Sequence, residues 1–151
     1  QYLFDDLGFA GDTEDYYDPR NSYVPSVIER KRGLPITLPL LYKCVGDRLG
    51  LEIHGVNAPA HFLASVVDGK SSMLVDPFHG GRVVSEEEVY ARIERVSGGE
   101  VPRSPGLLSL ASHRDWIRRM LRNLRKVFAS EGRLADMGAM TELALLFEPS
   151  E

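Results

Sequence analysis

The side chains of this sequence best suited to proton transfer or metal binding are His54, His61, Asp76 and His79. Imidazole and carboxylate together suit zinc or iron, so His61, Asp76 and His79, with His54 as a fourth, form one conceivable metal set. Their spacing matches no specific metal-site signature, and structural histidines outnumber metal-binding ones. No metal and no cofactor is expected. Cys44 is the sole cysteine, so no internal disulfide and no Cys-based zinc site can form. That fits a reducing cytoplasm.

A second chemistry-bearing set lies late in the chain. Arg114, Arg118, Arg122 and Arg125 follow one another at steps of four, four and three, which places them in one stripe along a helix. Arg118 and Arg122 at its centre are candidate residues for binding an anion or an acidic partner. The bland alternative is a solvated face opposite an apolar stripe, the usual complement of an amphipathic helix, or a dock for the acidic loop at 12–18. Nucleic acid bound here would lose affinity steeply with added salt. The net charge of −4 argues against that partner.

The elements that must position these residues can be read from pattern. Residues 10–25 are loop-like, and Asp15 to Tyr23 is too aromatic for a floppy linker, so the tyrosines are expected to pin it. In that loop Tyr17, Asp18 and Asn21 are candidate binding residues. Asx side chains also commonly bond nearby backbone, and that role stays open for Asp18 and Asn21. A short helix is expected over Ser26–Lys31. A longer one is expected over Leu38–Leu49, with Leu40, Leu41, Cys44, Val45 and Leu49 on its buried face. Thr37 is its expected N-cap, Pro39 is tolerable in the first turn, and Gly50 stands where a helix-ending glycine belongs.

Four strands follow: Leu51–Val56, His61–Val67, Ser72–Asp76 and Arg82–Val84, with a hairpin signal at Asp68-Gly69. Ser85 and Glu88 make a capping box for a helix through Val96. Gly98, Gly99, Pro102, Pro105 and Gly106 mark a linker. Trp116, Ile117, Met120, Leu121, Leu124, Val127 and Phe128 form a helical stripe that Gly132 breaks, and a last helix runs from Leu134 to Phe147 before Pro149. The class is α+β, divided into a domain over 1–100 and a helical hairpin over 107–151.

Composition adds limits. A chain of 151 residues buries roughly 68–70% of its unfolded surface, enough for a real core. No apolar run reaches the roughly 18 residues a membrane helix needs, and no signal pattern opens the chain. The absence of an initiator Met and the early apolar pair Leu3-Phe4 read as a piece of a longer protein.

Several segments carry a family resemblance. Arg32-Gly33-Leu34-Pro35-Ile36-Thr37 with the following apolar helix, Ala60-His61-Phe62-Leu63 and Val75-Asp76-Pro77-Phe78 resemble the core of the transglutaminase-like superfamily. Tyr16 to Tyr23 and Asp76-Pro77-Phe78-His79-Gly80-Gly81 resemble its SirB-type branch, bacterial proteins with tetratricopeptide-like helices; a related region occurs in an animal F-box protein. Leu121, Leu124, Phe128, Gly132, Ala144 and Pro149 match tetratricopeptide spacing, while Arg125 and Met137 stand where small residues are usual. The resemblance implies a papain-like α+β core, a helix packed on an antiparallel sheet, followed by a tetratricopeptide-like hairpin. One such repeat cannot stack into a solenoid.

What the resemblance implies chemically is a Cys-His-Asp triad: a thiolate at the helix start, a His on a strand that moves the proton, and an Asp that orients it. Carried over, the His is His61 and the Asp is Asp76, brought side by side by a hairpin. The Cys position falls near Pro35, and Gly33 to Leu38 contains no cysteine. Cys44 would be displaced by about 13 Å along a helix that rises roughly 1.5 Å per residue. The expected function is therefore a non-catalytic binding or scaffolding module with the old cleft kept as a pocket, in which His61 is either a structural partner of Asp76 or a binding residue. One rival is a hydrolase or acyltransferase using Thr37, His61 and Asp76. Another is an adaptor acting through the C-terminal hairpin. The expected partner is a protein or peptide, not nucleic acid and not a membrane.

Overall fold

The computed structural model describes residues 1–147; Pro149 of the tetratricopeptide-like pattern lies outside them. Strand β1 (Ala10–Gly11) opens the chain and leads through a 3₁₀ turn at Pro19–Ser22 into helix α1 (Val24–Arg30). Pro25 in the first turn of α1 needs no donor, and Lys31 ends the helix in the left-handed conformation. Strand β2 (Arg32–Gly33) pairs in parallel with β1. Helix α2 (Thr37–Arg48) follows, then β3 (Glu52–Val56), β4 (Leu63–Asp68), β5 (Ser71–Asp76) and β6 (Arg82–Val84). Helix α3 (Glu86–Ser97) starts at the expected capping box of Ser85 and Glu88. Strand β7 (Leu110–Ala111) precedes helices α4 (His113–Ser130) and α5 (Leu134–Leu145).

Strands β3 to β7 form one antiparallel sheet in the order β6-β5-β4-β3-β7. The β4–β5 hairpin closes through Gly69, whose φ of 61° is available to glycine without steric cost. Successive side chains of a strand face opposite ways, and the register puts Ile53, Ala64 and Val75 on one face, under Tyr42 of α2. Val56, Leu63 and Val84 cluster with Val89 and Ile93 of α3, with Leu74 packed beside them. The two helices thus cover opposite faces of the sheet. This is the α+β, helix-on-antiparallel-sheet architecture that the sequence implied.

Two details of α2 correct the sequence reading. Helix α2 buries Thr37, Leu38, Pro39 and Gly46, so its inner stripe runs through Leu38, Tyr42 and Gly46. Of the expected face, Leu40 and Leu41 are half-buried, like Tyr42, and pack against the core; Cys44 and Val45 are half-buried, and Leu49 is 71% exposed. Gly46 lets Ile53 approach where a larger side chain would collide. The N-cap position is Ile36, and Thr37 is already helical. Its hydroxyl accepts from Leu34 N–H at 2.8 Å and donates to Asn21 C=O at 2.9 Å, tying the helix start to two loops instead of capping it.

The segment just after the expected linker contributes to the sheet. Strand β7 pairs with β3 at Gly55↔Ala111 and Val56↔Leu110, which gives the sheet an edge strand from beyond residue 107. A Ser112–Asp115 capping box opens α4. Trp116 then inserts beside Phe62, ring centroids 4.7 Å apart, and donates Nε1–H to Ile36 C=O at 2.9 Å. A Cβ on Gly55 would strike both rings, so this close approach requires glycine there. Helices α4 and α5 form the expected hairpin. Ile117 departs from the buried stripe, at 37% exposed, while Leu121, Leu124, Val127 and Phe128 are buried. Among the described residues no helix is long and apolar enough to cross a membrane.

Candidate functional site

Asp76 ends β5 with its side chain fully buried, and His61 lies two residues ahead of β4. The expected strand over His61–Val67 therefore begins later, at Leu63. The turn before it is tight: His61 N–H donates to Pro59 C=O at 2.8 Å, and Ala60 holds φ at 64°. A non-glycine residue in that region costs free energy, and such residues cluster at functional sites. The turn aims His61 at Asp76, with Nε2 2.8 Å from Oδ1.

Asp76 gathers more than this partner. His79 Nδ1 lies 2.8 Å from Oδ2, His79 N–H donates to Oδ1 at 3.3 Å, and Arg92 of α3 donates to Oδ2 at 3.2 Å. Burial pushes the Asp76 pKa up, but the His61 hydrogen bond and charge, followed by those of His79, outweigh it and hold the carboxyl well below the usual range. Burial lowers the His61 pKa, and the pull of Asp76 only partly offsets it. At neutral pH the pair is thus an ionised Asp76 accepting Nε2–H from a neutral His61, with Nδ1 left as an acceptor. Ser22 Oγ is the enclosed side-chain polar atom without a partner among the described residues; His61 Nδ1, which also has none, therefore reaches the surface.

His61, Asp76 and His79 bring one ligand atom each within 4.8 Å of one another, so three of the four residues considered for a metal do converge. His54 stands apart on β3, bonded to Glu52 at 2.9 Å. A cation would have to displace both imidazole hydrogen bonds and share Asp76 with the Arg92 guanidinium. Sequence reasoning did not single out Arg92; its one available signal was its place beside Ile93 on the inner side of a capped helix.

No thiol faces this pair in sequence order at the helix start. Pro35 occupies the segment before α2, and Cys44 is seven residues past Thr37, about 10 Å along the axis. Thr37 is 1% exposed, and its hydroxyl is engaged with Leu34 and Asn21, with no hydrogen bond to His61.

A cleft of about 580 Å³ opens between the start of α2 and helix α4. Leu34, Pro35 and Ile36 form one wall, Ala60 and Phe62 the floor, and Tyr16 and Tyr17 a rim. Arg119, Arg122 and Lys126 of α4 supply the far wall. Arg119 is anchored at 2.7 Å to Asn57 Oδ1 and 2.9 Å to Ala58 C=O, with its guanidinium 5.5 Å from the Phe62 ring centre. It lies off the stripe of Arg114, Arg118, Arg122 and Arg125, so the sequence pattern missed it.

The tyrosines do not pin the loop as expected: Tyr17 is 70% exposed and Tyr23 41%, while Tyr16 touches Phe78 edge-on. Charge does that work. Arg30 donates to Asn21 Oδ1 and Asp12 Oδ2, and Asn21 donates to Asp15 C=O. Asp18 accepts Arg20 N–H and pairs with its guanidinium at 2.6 Å, the hydrogen bond that most lowers its pKa. The acidic loop thus pairs with Arg20 and Arg30, and not with the α4 arginines.

The comparisons with known proteins agree with this architecture. A family model described as the transglutaminase-like superfamily matches residues 1–122. A UPF0162 protein of Xylella fastidiosa (strain 9a5c) is 43% identical over 154 residues, covering all of this chain and 55% of that protein. A UPF0162 protein of Vibrio cholerae is 30% identical over 99% of the chain and 55% of its own length. F-box only protein 21 of Mus musculus is 40% identical over 76 residues, half of this chain and 12% of that one. The chain spans about half the length of the UPF0162 relatives it matches. No solved structure matches it significantly. The helix-on-sheet core, the His61–Asp76 pair at its expected places and a family match over most of the length lead to one assignment: the chain belongs to the transglutaminase-like superfamily.

Proposed function

We propose that this chain is a non-catalytic binding module of the superfamily, of the SirB-type branch, with the cleft before α2 retained as a pocket. The observation that carries the reading is Pro35. A proline without a nucleophilic atom borders the cleft where the resemblance puts the thiol, while the His61–Asp76 pair stands intact. In this reading His61 is the structural partner of Asp76: the two line a separate hollow of about 10 Å³ beside Arg92, and neither lines the cleft. The α4–α5 hairpin is read as a tetratricopeptide-like unit. The greater length of the UPF0162 relatives is compatible with more helices beside it.

The rival, hydroxyl-based acyl transfer, asks Thr37 to release both Leu34 N–H and Asn21 C=O and then reach His61. Its buried, doubly bonded hydroxyl disfavours this. Intact-mass labelling with a hydroxyl-directed phosphonate and a thiol alkylator, on wild type and His61→Ala, separates the two. The binding reading expects no phosphonate adduct and at most slow alkylation of half-buried Cys44. An adduct at Thr37 that vanishes in His61→Ala would falsify it.

A further inference from the structure

We infer that the groove running across α4 binds an acidic peptide segment of a partner protein, with its carboxylates on the arginines and a neighbouring apolar side chain in the cleft. The inference rests on the proposed binding role and names its ligand class. A pocket of about 260 Å³ lies on the far side of Arg119 and Arg122 from the cleft, lined also by Arg118, Arg125 and Asn57. Arg119 and Arg122 line both spaces, so pocket and cleft adjoin each other across α4.

Four guanidiniums and one carboxylate around so small a volume leave a net positive field. Asp115 is the acidic side chain in the pocket wall, and its Oδ2 is taken by Ser112 N–H and Oγ–H at 2.9 and 2.6 Å. The ion pairs among the described residues leave Arg118, Arg122 and Arg125 out. Arg119 is held in place by Asn57 and Ala58, and a guanidinium already fixed loses little freedom when it receives a carboxylate.

Two features select an acidic peptide over other anions. The cleft end of the groove is apolar, lined by Leu34, Ile36, Phe62 and Val127, which suits a ligand that is anionic at one end and apolar at the other. A polyphosphate has no such end. The basic stretch is also short: beyond Tyr16 and Tyr17 the surface turns acidic, with Glu14, Asp15 and Glu131 around a further hollow. A nucleic-acid strand leaving the arginines would run into that acidic rim, whereas a short peptide fits within the basic stretch.

The test is fluorescence anisotropy with a labelled, end-blocked peptide of sequence Glu-Glu-Glu-Leu-Phe, on wild type, Arg118→Glu/Arg122→Glu and His61→Ala. A Gln-Gln-Gln-Leu-Phe peptide and a single-stranded oligonucleotide serve as competing probes, and circular dichroism verifies that each variant is folded. The acidic peptide should bind wild type and His61→Ala alike. It should bind the double charge reversal at least about tenfold more weakly, and lose affinity as salt rises from about 50 to 300 mM. Equal binding of the Gln peptide would overturn the acidic specificity while leaving the cleft-binding role standing. Binding of neither peptide, or tighter binding of the oligonucleotide, would overturn the inference outright. Loss in His61→Ala with retention in the arginine variant would move the site to the His61 pair and overturn it as well.

Discussion

Two concentrations of charge in this molecule are organised in opposite ways. Around Asp76 both carboxylate oxygens are spoken for: two imidazoles, a backbone N–H and the Arg92 guanidinium converge on one buried carboxylate. Along α4, four arginines crowd a small pocket in which Asp115 is the acidic neighbour. The first arrangement holds itself together, because an unpaired buried charge is costly. The second is stable only because water solvates the arginines, so it gains from any anion that replaces that water. A region that satisfies its own charges contributes chiefly to the fold, and a region that leaves them open is the one available for the binding proposed above.

The strongest way to break that contrast is Asp76→Ala. Removing the carboxylate leaves the buried His61 Nε2–H without an acceptor and Arg92 without its carboxylate, and should cost about 1–3 kcal/mol in urea unfolding. Asp76→Asn, which keeps an acceptor, should cost less. A loss below about 1 kcal/mol for the alanine variant would mean that the cluster is not what holds this end of the sheet. Trp116→Phe sits between the two regions. It deletes the Nε1–H bond and leaves Ile36 C=O buried and unpaired, for an expected cost of about 1–3 kcal/mol. Because Trp116 fixes α4 against Phe62, the same variant should also weaken binding at the arginine groove.

The pH dependence of stability sharpens the comparison further. His61 has a folded pKa below its ordinary value because of burial, so the unfolded chain takes up a proton before the folded one does. Stability should therefore fall as pH drops below about 6.5, by at most about 1.4 kcal/mol per pH unit for one proton. Asp76 has the opposite origin but the same direction. Its folded pKa is depressed, so its contribution is fully present above about pH 3.9 and is lost only below that. The window between pH 5 and 6.5 therefore isolates His61, and His61→Gln should flatten it. An unchanged slope in that variant would mean that His61 is not the source of the effect.

The sequence exposed the two regions unequally, for physical reasons. Motif order located His61 and Asp76, and strand alternation with the Asp68-Gly69 turn predicted the hairpin that joins them. Their companions depend on packing between distant elements: Arg92 arrives from α3, and Arg119 reaches Asn57 from 62 residues away. Neither has a local signature. Apolar spacing misplaced the inner face of α2, because a glycine at the closest contact scores as neutral while carrying the approach to Ile53. Strand β7, two residues long, offers no periodicity to read. Repetition at helical spacing revealed the arginine stripe, but not that Arg119 turns it into a pocket.

The smallest expected effect bears most directly on the arginines. Arg118→Ala/Arg122→Ala removes two exposed charges that pair with no carboxylate among the described residues. Surface changes of this kind usually stay within about 0.5 kcal/mol. Here the sign matters more than the size. Arg118 and Arg122 lie one helical turn apart, and like charges at that spacing destabilise a helix by about 0.2–0.5 kcal/mol. The neighbouring Arg122 also helps lower the Arg119 pKa, after burial. The variant should therefore match wild type or exceed it slightly, with the gain shrinking as salt screens the repulsion. Urea unfolding at low and high salt reads both. A clear loss of stability would mean that these arginines support the fold as the Asp76 cluster does, and the distinction between a self-satisfied region and a recognition surface would collapse.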